Sequence, residues 1–544
     1  MQWVSLGVLS LALAAGSSIG QVAFRYDTAE PATGITLGEL TFPAAGRDAR
    51  SAQDGVARCR PIGINWGALD AVTHRGGGRV SLPLFDGETY ELIFRHLEAR
   101  GDDDYTWFGQ VAGIAGSQFI LTRYQDALYL LLENFEQGRV MVVKLVPDGS
   151  FTLREMTRGP RPPCGSCGPG ACAPPPPVVH AAAARMGLDP DTHPSTPAPG
   201  IPGSRTRGGL GDPGGTSNLD GGWRIDVMVV YTPYARFEEG GQNAMVSLIY
   251  TAISDMNQRL ANSSVSTRLR LVWHEEMAGY FENGIDELSR LSSNGDGYMD
   301  QVHALRETYR ADAVALITQT MFNNSGDSIC GQAYRMSSTF TGASLAFSRT
   351  KRSCIDAGTF AHEIGHNLGA NHDFDTCQAS SGGSCTSPIT SYTYGARIRR
   401  DMGLGYYQHW HDTMAYGLSD SLYGASTRLP YFSSPGIYYD PSGPGGPYQL
   451  GSSIANVSQT IRDTASIAAN WRDSLGIYYA APWGSALVAN GTAILPYTSI
   501  PTAMSQEGDI QTIRLFSGEY PANSTGTISQ SVILEAWNGA ATLR

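Results

Sequence analysis

The stretch from Thr359 to Cys377 reads TFAHEIGHNLGANHDFDTC and holds three of the chain's 11 histidines. Residues four positions apart lie on the same face of an α-helix, so His362 and His366 would present both imidazoles to one metal ion. Glu363 is offset from that face, where it cannot compete for the ion but can reach a water molecule on it. The pattern therefore predicts a helix that supplies two metal ligands and a base.

A glycine is expected to end this helix. Gly369 can adopt a positive φ and turn the chain sharply, which lets His372 return as a third ligand. Three neutral histidines leave one position of a Zn²⁺ ion open for water, as catalytic zinc sites require. We therefore expect one catalytic zinc ion bound by His362, His366 and His372, with Glu363 as the general base.

Two other interpretations of the cluster are a closed structural zinc site and a helix with surface histidines. A closed site would need a fourth protein ligand, usually cysteine, and Cys377 is near. Cys377 is more simply paired with Cys385 across the short segment QASSGGS. Cys330 and Cys354 flank the segment before the helix, and we expect them to form a second disulfide.

The segment HEIGHNLGANHD resembles the metzincin metallopeptidase signature, H-E-x-x-H-x-x-G-x-x-H. Asp373 after the third histidine is similar to the reprolysin branch. The segments RIDVMVVYTPYAR, CGQAY and LPYFSSPGIYYDP look most like the bacterial secreted group that includes peptidyl-Asp metalloendopeptidases. The resemblance covers residues 223–472. It implies a zinc endopeptidase with an α/β fold, a five-stranded mixed sheet above the zinc and an active-site cleft.

Further residues receive roles through this resemblance alone. Met414 in HDTMAYG would be the Met-turn methionine, a hydrophobic floor under the histidines. Tyr416 would stabilise the tetrahedral intermediate beside the zinc, although a tyrosine that only packs there is the favoured alternative. The segment SLAFS is the candidate for an antiparallel edge strand that holds extended substrate. The nearest family also implies cleavage before Asp, and Arg428 is the residue to inspect for that preference.

From Trp223 onward the chain alternates strand and helix patterns. WRIDVMVVY, VSTRLRLVWH and ADAVALIT are apolar strand-like runs, while NAMVSLIYTAISDMNQRLANSS has apolar residues at helical spacing from about Asn243. This order predicts a mainly parallel sheet flanked by helices over residues 223–475. The segment QTIRDTASIAANWRDSL is expected to be the helix that closes the domain.

Three segments precede this domain. Residues 1–20 resemble a secretory signal peptide, although the start lacks Lys or Arg and a buried strand is the alternative. Residues 21–157 show partial alternation broken by glycine and Asp-Gly turns, which predicts a β-rich domain that we interpret as a prodomain. Residues 158–222 are rich in Pro, Gly and Ser and predict an exposed linker, in which Arg205 and Arg207 could be cut by a trypsin-like protease.

Residues 476–544 contain two strand-like runs, TIRLFSGEY and SVILEAW, with glycine turns. They resemble the opening coil of a right-handed β-helix. One coil cannot bury its own core, because solenoids need about three repeats. We expect the segment either to pack on the preceding domain or to continue beyond this sequence.

Net charge, hydrophobicity and cysteine content limit the classes of function that the chain can have. A net charge of −12 without a basic patch argues against nucleic-acid binding. No later apolar run reaches the roughly 18 residues that a transmembrane helix needs. The eight cysteines fit disulfides in an oxidising compartment. We therefore expect a secreted protein that acts on protein or peptide substrates, and the sequence leaves a structural Ca²⁺ ion and the oligomeric state open.

The sequence allows more than one role for two of the cysteines, for two further histidines and for the domain as a whole. In related families a prodomain thiolate blocks the zinc; Cys59 and Cys164 are the candidates here, with ordinary disulfides as the alternative. His409 and His411 are expected to be partly exposed on a strand or loop, with a second metal or substrate site as the other possibility. A non-catalytic binding module on the same fold would have no use for Glu363, and a hydrolase of non-protein substrates would have a closed pocket.

Overall fold

A computed structural model describes residues 34–36, 56–156, 224–336, 342–380, 385, 387, 389–404, 406–420, 424–440, 447–472, 477–482, 496–506, 512–521 and 532–544. The expected signal peptide, the linker with Arg205 and Arg207, and Cys164 lie outside the described residues. No helix in the described ranges combines the length and the hydrophobicity that crossing a bilayer requires.

The N-terminal sheet has nine strands, β1 to β9, in the order β1-β3-β4-β5-β6-β7-β8-β9-β2. All pairs are antiparallel except β1 with β3. Helix α1 (Trp66–Arg75) contributes Leu69 and Val72 to a core that includes Trp107 and Leu130. The strands are Gly34–Thr36, Val56–Ile62, Gly78–Pro83, Thr89–Gly101, Asp104–Val111, Ser117–Tyr124, Ala127–Asn134, Arg139–Leu145 and Phe151–Met156.

The α/β region (residues 224–472) has a five-stranded mixed sheet in the order β11-β10-β12-β14-β13. Every residue of β10 and β12 is buried, as in a parallel sheet covered on both faces, so their sequences read as continuous apolar runs. β13 alone among these five is antiparallel and forms one edge. The strands are β10 Arg224–Tyr231, β11 Arg268–Glu276, β12 Ala313–Thr318, β13 Gly331–Ala333 and β14 Phe347–Lys351.

Helices cover this sheet and follow it. Their bounds are α2 Pro233–Glu239, α3 Gln242–Asn262, α4 Glu287–Ser292, α5 Gln301–Tyr309, α6 Thr359–Asn367, α7 Phe374–Ser380 and α8 Val457–Ala468. Short 3₁₀ helices span Gly342–Leu345 and Arg352–Ala357. The closing helix is thus shorter than expected, since it ends at Ala468 rather than near residue 475.

One expectation for the sheet is wrong. The SLAFS segment does not form the antiparallel edge strand: its first residues lie in the 3₁₀ helix Gly342–Leu345, and Phe347 begins β14, which is parallel to β12. The antiparallel edge is β13, within the segment CGQAY. A three-residue strand containing glycine carries almost no strand pattern, which is why the sequence did not reveal it.

Short strands and a small parallel sheet complete the chain. The strands after α6 are β15 Asn371–Asp373, β16 Tyr394–Gly395, β17 Arg397–Gly403, β18 Tyr406–His411, β19 Ser419–Asp420, β20 Gly424–Ala425, β21 Thr427–Arg428, β22 Tyr438–Tyr439 and β23 Tyr448–Gln449. At the C-terminal end, β24 (Ile477–Ala480), β25 (Thr512–Tyr520) and β26 (Ile533–Leu543) pair in parallel, with α9 (Ile500–Gln506) between the first two. Tyr478 of β24 accepts a 2.8 Å hydrogen bond from Arg224 of β10.

Candidate zinc site

Helix α6 and the turn after it bring three imidazoles together. Gly369 has a φ of +91°, so the chain leaves the helix and returns through β15, which carries His372. Nε2 of His366 lies 3.2 Å from Nε2 of His362 and 3.1 Å from Nε2 of His372. Two nitrogens bound to one tetrahedral zinc at ~2.05 Å are roughly 3.3 Å apart, so the three ring nitrogens fit a zinc ion.

Backbone carbonyls fix the orientation of two of these rings. Nδ1 of His362 is 2.8 Å from the carbonyl oxygen of Thr413, and Nδ1 of His366 is 2.9 Å from that of Ala370. A ring that donates from Nδ1 carries its lone pair on Nε2, which is the form that binds a metal. Burial lowers the pKa of His362 and His372 well below the ordinary value, and that of His366 to about 4, which keeps the rings neutral.

Glu363 of α6 is fully buried, and its carboxyl group lies against Gly331 of the edge strand β13. A Cβ atom added to Gly331 would overlap the Glu363 carboxyl group, with its Cδ only 2.5 Å away. Gly331 is therefore required for the carboxylate to occupy this position. The sequence offered only one signal for this role, a glycine directly after Cys330 in CGQAY.

The turn that contains Met414 packs against helix α6. Met414 is fully buried, and a Cβ on Gly365 of α6 would come within 2.6 Å of its Sδ atom, so helix and turn touch closely. Buried Asp412 holds the turn by accepting hydrogen bonds from the backbone N–H of Met414 and Ala415. Burial raises the pKa of Asp412 to about 6. The sequence reasoning identified Met414 but missed Asp412, whose role depends on backbone groups that a motif does not show.

Tyr416 and Asp373 lie close to the third histidine. The Tyr416 ring centroid is 4.5 Å from that of His372 and 6.0 Å from that of His362. Asp373 accepts a hydrogen bond from the Tyr416 N–H and pairs with Arg397 at 2.9 Å, while Arg397 donates to the Tyr416 carbonyl. Asp373 and Arg397 thus position the backbone of Tyr416 beside the third histidine.

Both expected disulfides are present. Cys330–Cys354 joins the start of β13 to the 3₁₀ helix that precedes α6, and Cys377–Cys385 joins α7 to a residue that follows it in the chain. The backbone N–H of Lys351 donates to the Cys330 carbonyl at 2.8 Å. The first disulfide therefore anchors the strand that presents Gly331 to Glu363.

Other expected residues lie away from the imidazole nitrogens. Among the described residues, one group of side chains is able to hold a metal, and it comprises the three histidines. Cys59 does not belong to this group, and the described residues form no second group of this kind. Cys59 lies in β2 and packs against the apolar core. The expectation that His409 and His411 are partly exposed is wrong: both are buried on β18, and Nδ1 of His411 is 2.8 Å from Ser426 Oγ.

Comparison with known proteins finds one family model and several sequence relatives that match this part of the chain. The model of metallo-peptidase family M12, of reprolysin type, matches residues 223–402. A peptidyl-Asp metalloendopeptidase of Stenotrophomonas maltophilia (strain K279a) is 36% identical over 248 residues, covering 45% of this chain and 52% of that protein. One from Xanthomonas campestris pv. campestris is 34% identical over 249 residues, covering 45% and 51%. The chain thus matches about half the length of these relatives.

A solved structure, metalloproteinase-II from Bacteroides fragilis, is similar at a TM-score of 0.32 and 12% identity, covering 59% of this chain and 90% of that one. A likeness of this degree carries no inference.

Proposed function

We propose that this chain, whose residues 223–402 match the model of metallo-peptidase family M12, is a zinc endopeptidase. The observation that carries the proposal is the convergence of three neutral imidazole nitrogens, two of them on the helix that also carries the buried carboxylate of Glu363. A closed structural site would need a fourth protein ligand, and the described residues bring no further His, Cys, Asp or Glu into the group.

His362, His366 and His372 would hold the ion. Bound there, Zn²⁺ supplies a Lewis acid that polarises the scissile carbonyl and brings the pKa of a water molecule towards neutral. Glu363 takes a proton from the attacking water and delivers it to the leaving amine. Gly331 keeps the space that this carboxylate occupies, and the Thr413 and Ala370 carbonyls hold two of the imidazoles in the ligand tautomer.

Met414 and Tyr416 support this chemistry in different ways. Met414 forms the apolar floor under the histidines, where a polar side chain would compete for the ion. Tyr416 is proposed to donate from its hydroxyl to the oxyanion that develops at the scissile carbonyl. The support for Tyr416 is its ring position against His372 and the clamp of Asp373 and Arg397 on its backbone.

Protein chains are the proposed substrates, since the relatives carry the name peptidyl-Asp metalloendopeptidase. β13 is the proposed docking strand, because it is the edge of the sheet that passes Glu363 and an extended peptide can add to such an edge. A preference for Asp at the cleavage site is proposed for this chain as well.

We further propose that the protein is exported and made as a latent proenzyme, with the N-terminal sheet as prodomain and residues 158–222 as the activation segment. The paired cysteines around the site support an oxidising compartment. The N-terminal sheet meets α3 partly through a row of polar side chains, which water could solvate after release. Thr251 and Arg259 of that row contact Thr122 and Glu133 of the sheet.

The test is digestion of a denatured protein by the purified full-length chain, before and after proteolytic nicking of residues 158–222. Zinc content is measured alongside, and cut sites are read by mass spectrometry. We expect 1,10-phenanthroline to abolish cleavage, and Glu363→Ala to lower the rate about 10²- to 10⁴-fold while zinc stays bound. Glu307→Ala, which removes a largely exposed carboxylate, is the matched control.

Outcomes separate the parts of the proposal. Cleavage only after nicking supports latency, whereas equal rates before and after nicking contradict it. A zinc-loaded protein that cleaves in neither state would contradict the peptidase and favour a binding module on this fold.

A further inference from the structure

The chain from β13 onward runs along helix α6, from Glu363 to His366. Gly331 lies against Glu363. Five residues later, the backbone N–H of Met336 donates to the carbonyl of His366 at 3.2 Å. Between these points, the Tyr334 carbonyl accepts a 2.8 Å hydrogen bond from Asn367 of the same helix. Residues 331–336 are therefore fixed to α6 over the length that carries the chemistry.

Arg335 is held in this segment, between the two residues that bind the helix. Its side chain is half-buried. Burial lowers the pKa of Arg335, and the one other group that acts on it is Tyr394. No carboxylate in the described part of the chain forms an ion pair with Arg335. Arg335 directly precedes Met336, whose backbone N–H donates to the His366 carbonyl, and the Arg335 charge contributes to lowering the pKa of His366 and His372.

Other arginines around the site are already engaged. Arg397 pairs with Asp373, and Arg259 pairs with Asp255 at 2.9 Å. Arg428, the residue that the sequence suggested for reading a substrate carboxylate, donates to the Ala357 carbonyl at 2.6 Å and has its Nε atom 3.4 Å from His411. Arg397 and Arg259 are thus neutralised by carboxylates and Arg428 is bound to a backbone carbonyl, whereas Arg335 has no acidic partner among the described residues.

We propose that Arg335 binds an acidic side chain of the substrate residue that adjoins the scissile bond. The proposal rests on the endopeptidase function above. A peptide that adds to β13 would pass the zinc alongside residues 331–336, which places one of its side chains within reach of Arg335. A partly desolvated guanidinium favours a carboxylate over a neutral amide, because the fork of N–H donors matches both carboxylate oxygens and the charge is weakly screened. Arg335 is thus the specificity-determining residue for an acidic substrate.

The experiment uses the full-length, zinc-loaded protein, nicked in residues 158–222 if nicking proves necessary. Internally quenched peptides carry Asp or Asn at each of the two positions on either side of the scissile bond. The variants are Arg335→Gln, Arg335→Lys and Arg335→Glu. Arg399→Gln is the matched control, because Arg399 is exposed on β17 over the Tyr407 ring and its loss changes the net charge equally.

For the wild type we expect a higher kcat/KM for Asp than for Asn at one position. Arg335→Gln should reduce this Asp:Asn ratio about 10- to 100-fold while the Asn peptide is cleaved at its former rate. Arg335→Lys should retain an intermediate ratio, since a lysine keeps the charge but not the fork. Arg335→Glu should favour a Lys peptide over the Asp peptide, and Arg399→Gln should leave the ratio unchanged.

An Asp:Asn ratio that is unaltered in Arg335→Gln, with zinc content and Asn cleavage intact, would overturn the assignment. If Arg335→Gln loses zinc, Arg335→Lys decides instead: a ratio equal to the wild type's overturns the proposal, and a reduced ratio supports it. Failure of the wild type to cleave any peptide would count against the endopeptidase itself, so the two failures are distinguishable.

Discussion

The two faces of helix α3 make contacts of different chemistry. One face presents apolar side chains, including Met245, Ile249, Ile253 and Met256, which join the core formed with strands β10 and β12. The other face presents a row of polar residues four positions apart, all buried: Ser247, Thr251, Asp255 and Arg259. This row lies against the N-terminal sheet, where Thr251 Oγ1 is 3.0 Å from Thr122 Oγ1 and Arg259 is 3.5 Å from Glu133.

The difference shows that the polar face is a buried interface rather than a solvated surface. The polar face is also connected to the zinc site by hydrogen bonds. Arg259 donates from Nη1 to the Thr413 hydroxyl at 3.3 Å and to the Leu429 carbonyl at 3.4 Å. The carbonyl of the same Thr413 orients His362. The N-terminal sheet, through Glu133 and Arg259, therefore supports the segment that fixes a metal ligand.

Removal of the Arg259 charge should break the polar interface most severely. Arg259→Leu leaves Asp255 and Glu133 buried without their cation, which should destabilise the protein by about 3–5 kcal/mol. Loss of support for Thr413 should also weaken zinc binding about 10-fold. Urea denaturation and zinc titration measure the two effects.

Arg236→Leu is the control for this prediction. Arg236 pairs with Glu276 where both side chains are partly exposed, so its loss should cost about 1 kcal/mol or less. A cost as small for Arg259→Leu would mean that the polar face of α3 behaves as ordinary surface.

The apolar face should respond through packing alone. Ile253 is fully buried, so Ile253→Ala should cost about 2–5 kcal/mol through lost burial and the cavity it leaves. Zinc affinity of the folded protein should stay unchanged, because Ile253 has no hydrogen-bonded route to His362. Ile454→Ala, at a side chain that is 43% exposed, is the control. Weakened zinc binding in Ile253→Ala would remove the distinction between the two faces.

Much of this arrangement was readable from the sequence because the signals are local. The spacing of His362, Glu363 and His366 depends on one helical turn, and Gly369 takes the positive φ expected of it. Two disulfides and the mainly parallel sheet followed from position and from apolar runs. The apolar residues of α3 predicted its core face correctly.

The remainder depends on contacts between distant residues. The helical pattern of α3 assigns Thr251 and Arg259 to a polar face. It does not indicate whether that face contacts water or another sheet, whose residues lie more than a hundred positions away in the sequence. The edge strand β13 is too short to give a pattern, and the role of Gly331 appears only when Glu363 packs against it. The expectation that His409 and His411 are partly exposed failed for the same reason, since their neighbours on β18 gave no sign of burial.

Glu133 should make the polar interface sensitive to pH. Burial raises the pKa of Glu133 to about 7, above its unfolded value near 4.5, although Arg259 opposes the shift. The folded state therefore binds more protons between these values, and the contribution of Glu133 to stability is lost as pH rises through about 7. Glu133→Gln removes this titration.

The measurement is the difference in unfolding free energy between wild type and Glu133→Gln from pH 5 to 8.5. We expect the wild type to lose about 1–3 kcal/mol relative to the variant over this range. The comparison cancels the titration of histidines, which both proteins share. A difference that is constant with pH would show that Glu133 remains ionised in the interface throughout.

The smallest effect should come from a single hydroxyl on the polar face. Thr251 donates within its helix to the Ser247 carbonyl and also contacts Thr122 of the N-terminal sheet. Thr308 of α5 makes the same bond within its helix, to the Ala304 carbonyl, but is exposed. Thr251→Val should therefore cost about 0.5–1.5 kcal/mol and Thr308→Val close to nothing.

A double-mutant cycle with Thr122→Val isolates the contact between the sheet and the helix. A positive coupling energy between Thr251 and Thr122 is expected in the intact chain. After the linker is cut and the N-terminal fragment is removed, Thr251→Val should become as mild as Thr308→Val, because water then satisfies this face of α3. If Thr251→Val still costs the full amount without the fragment, the Thr251 hydroxyl stabilises α3 itself. The contact with Thr122 of the N-terminal sheet would then contribute nothing to stability.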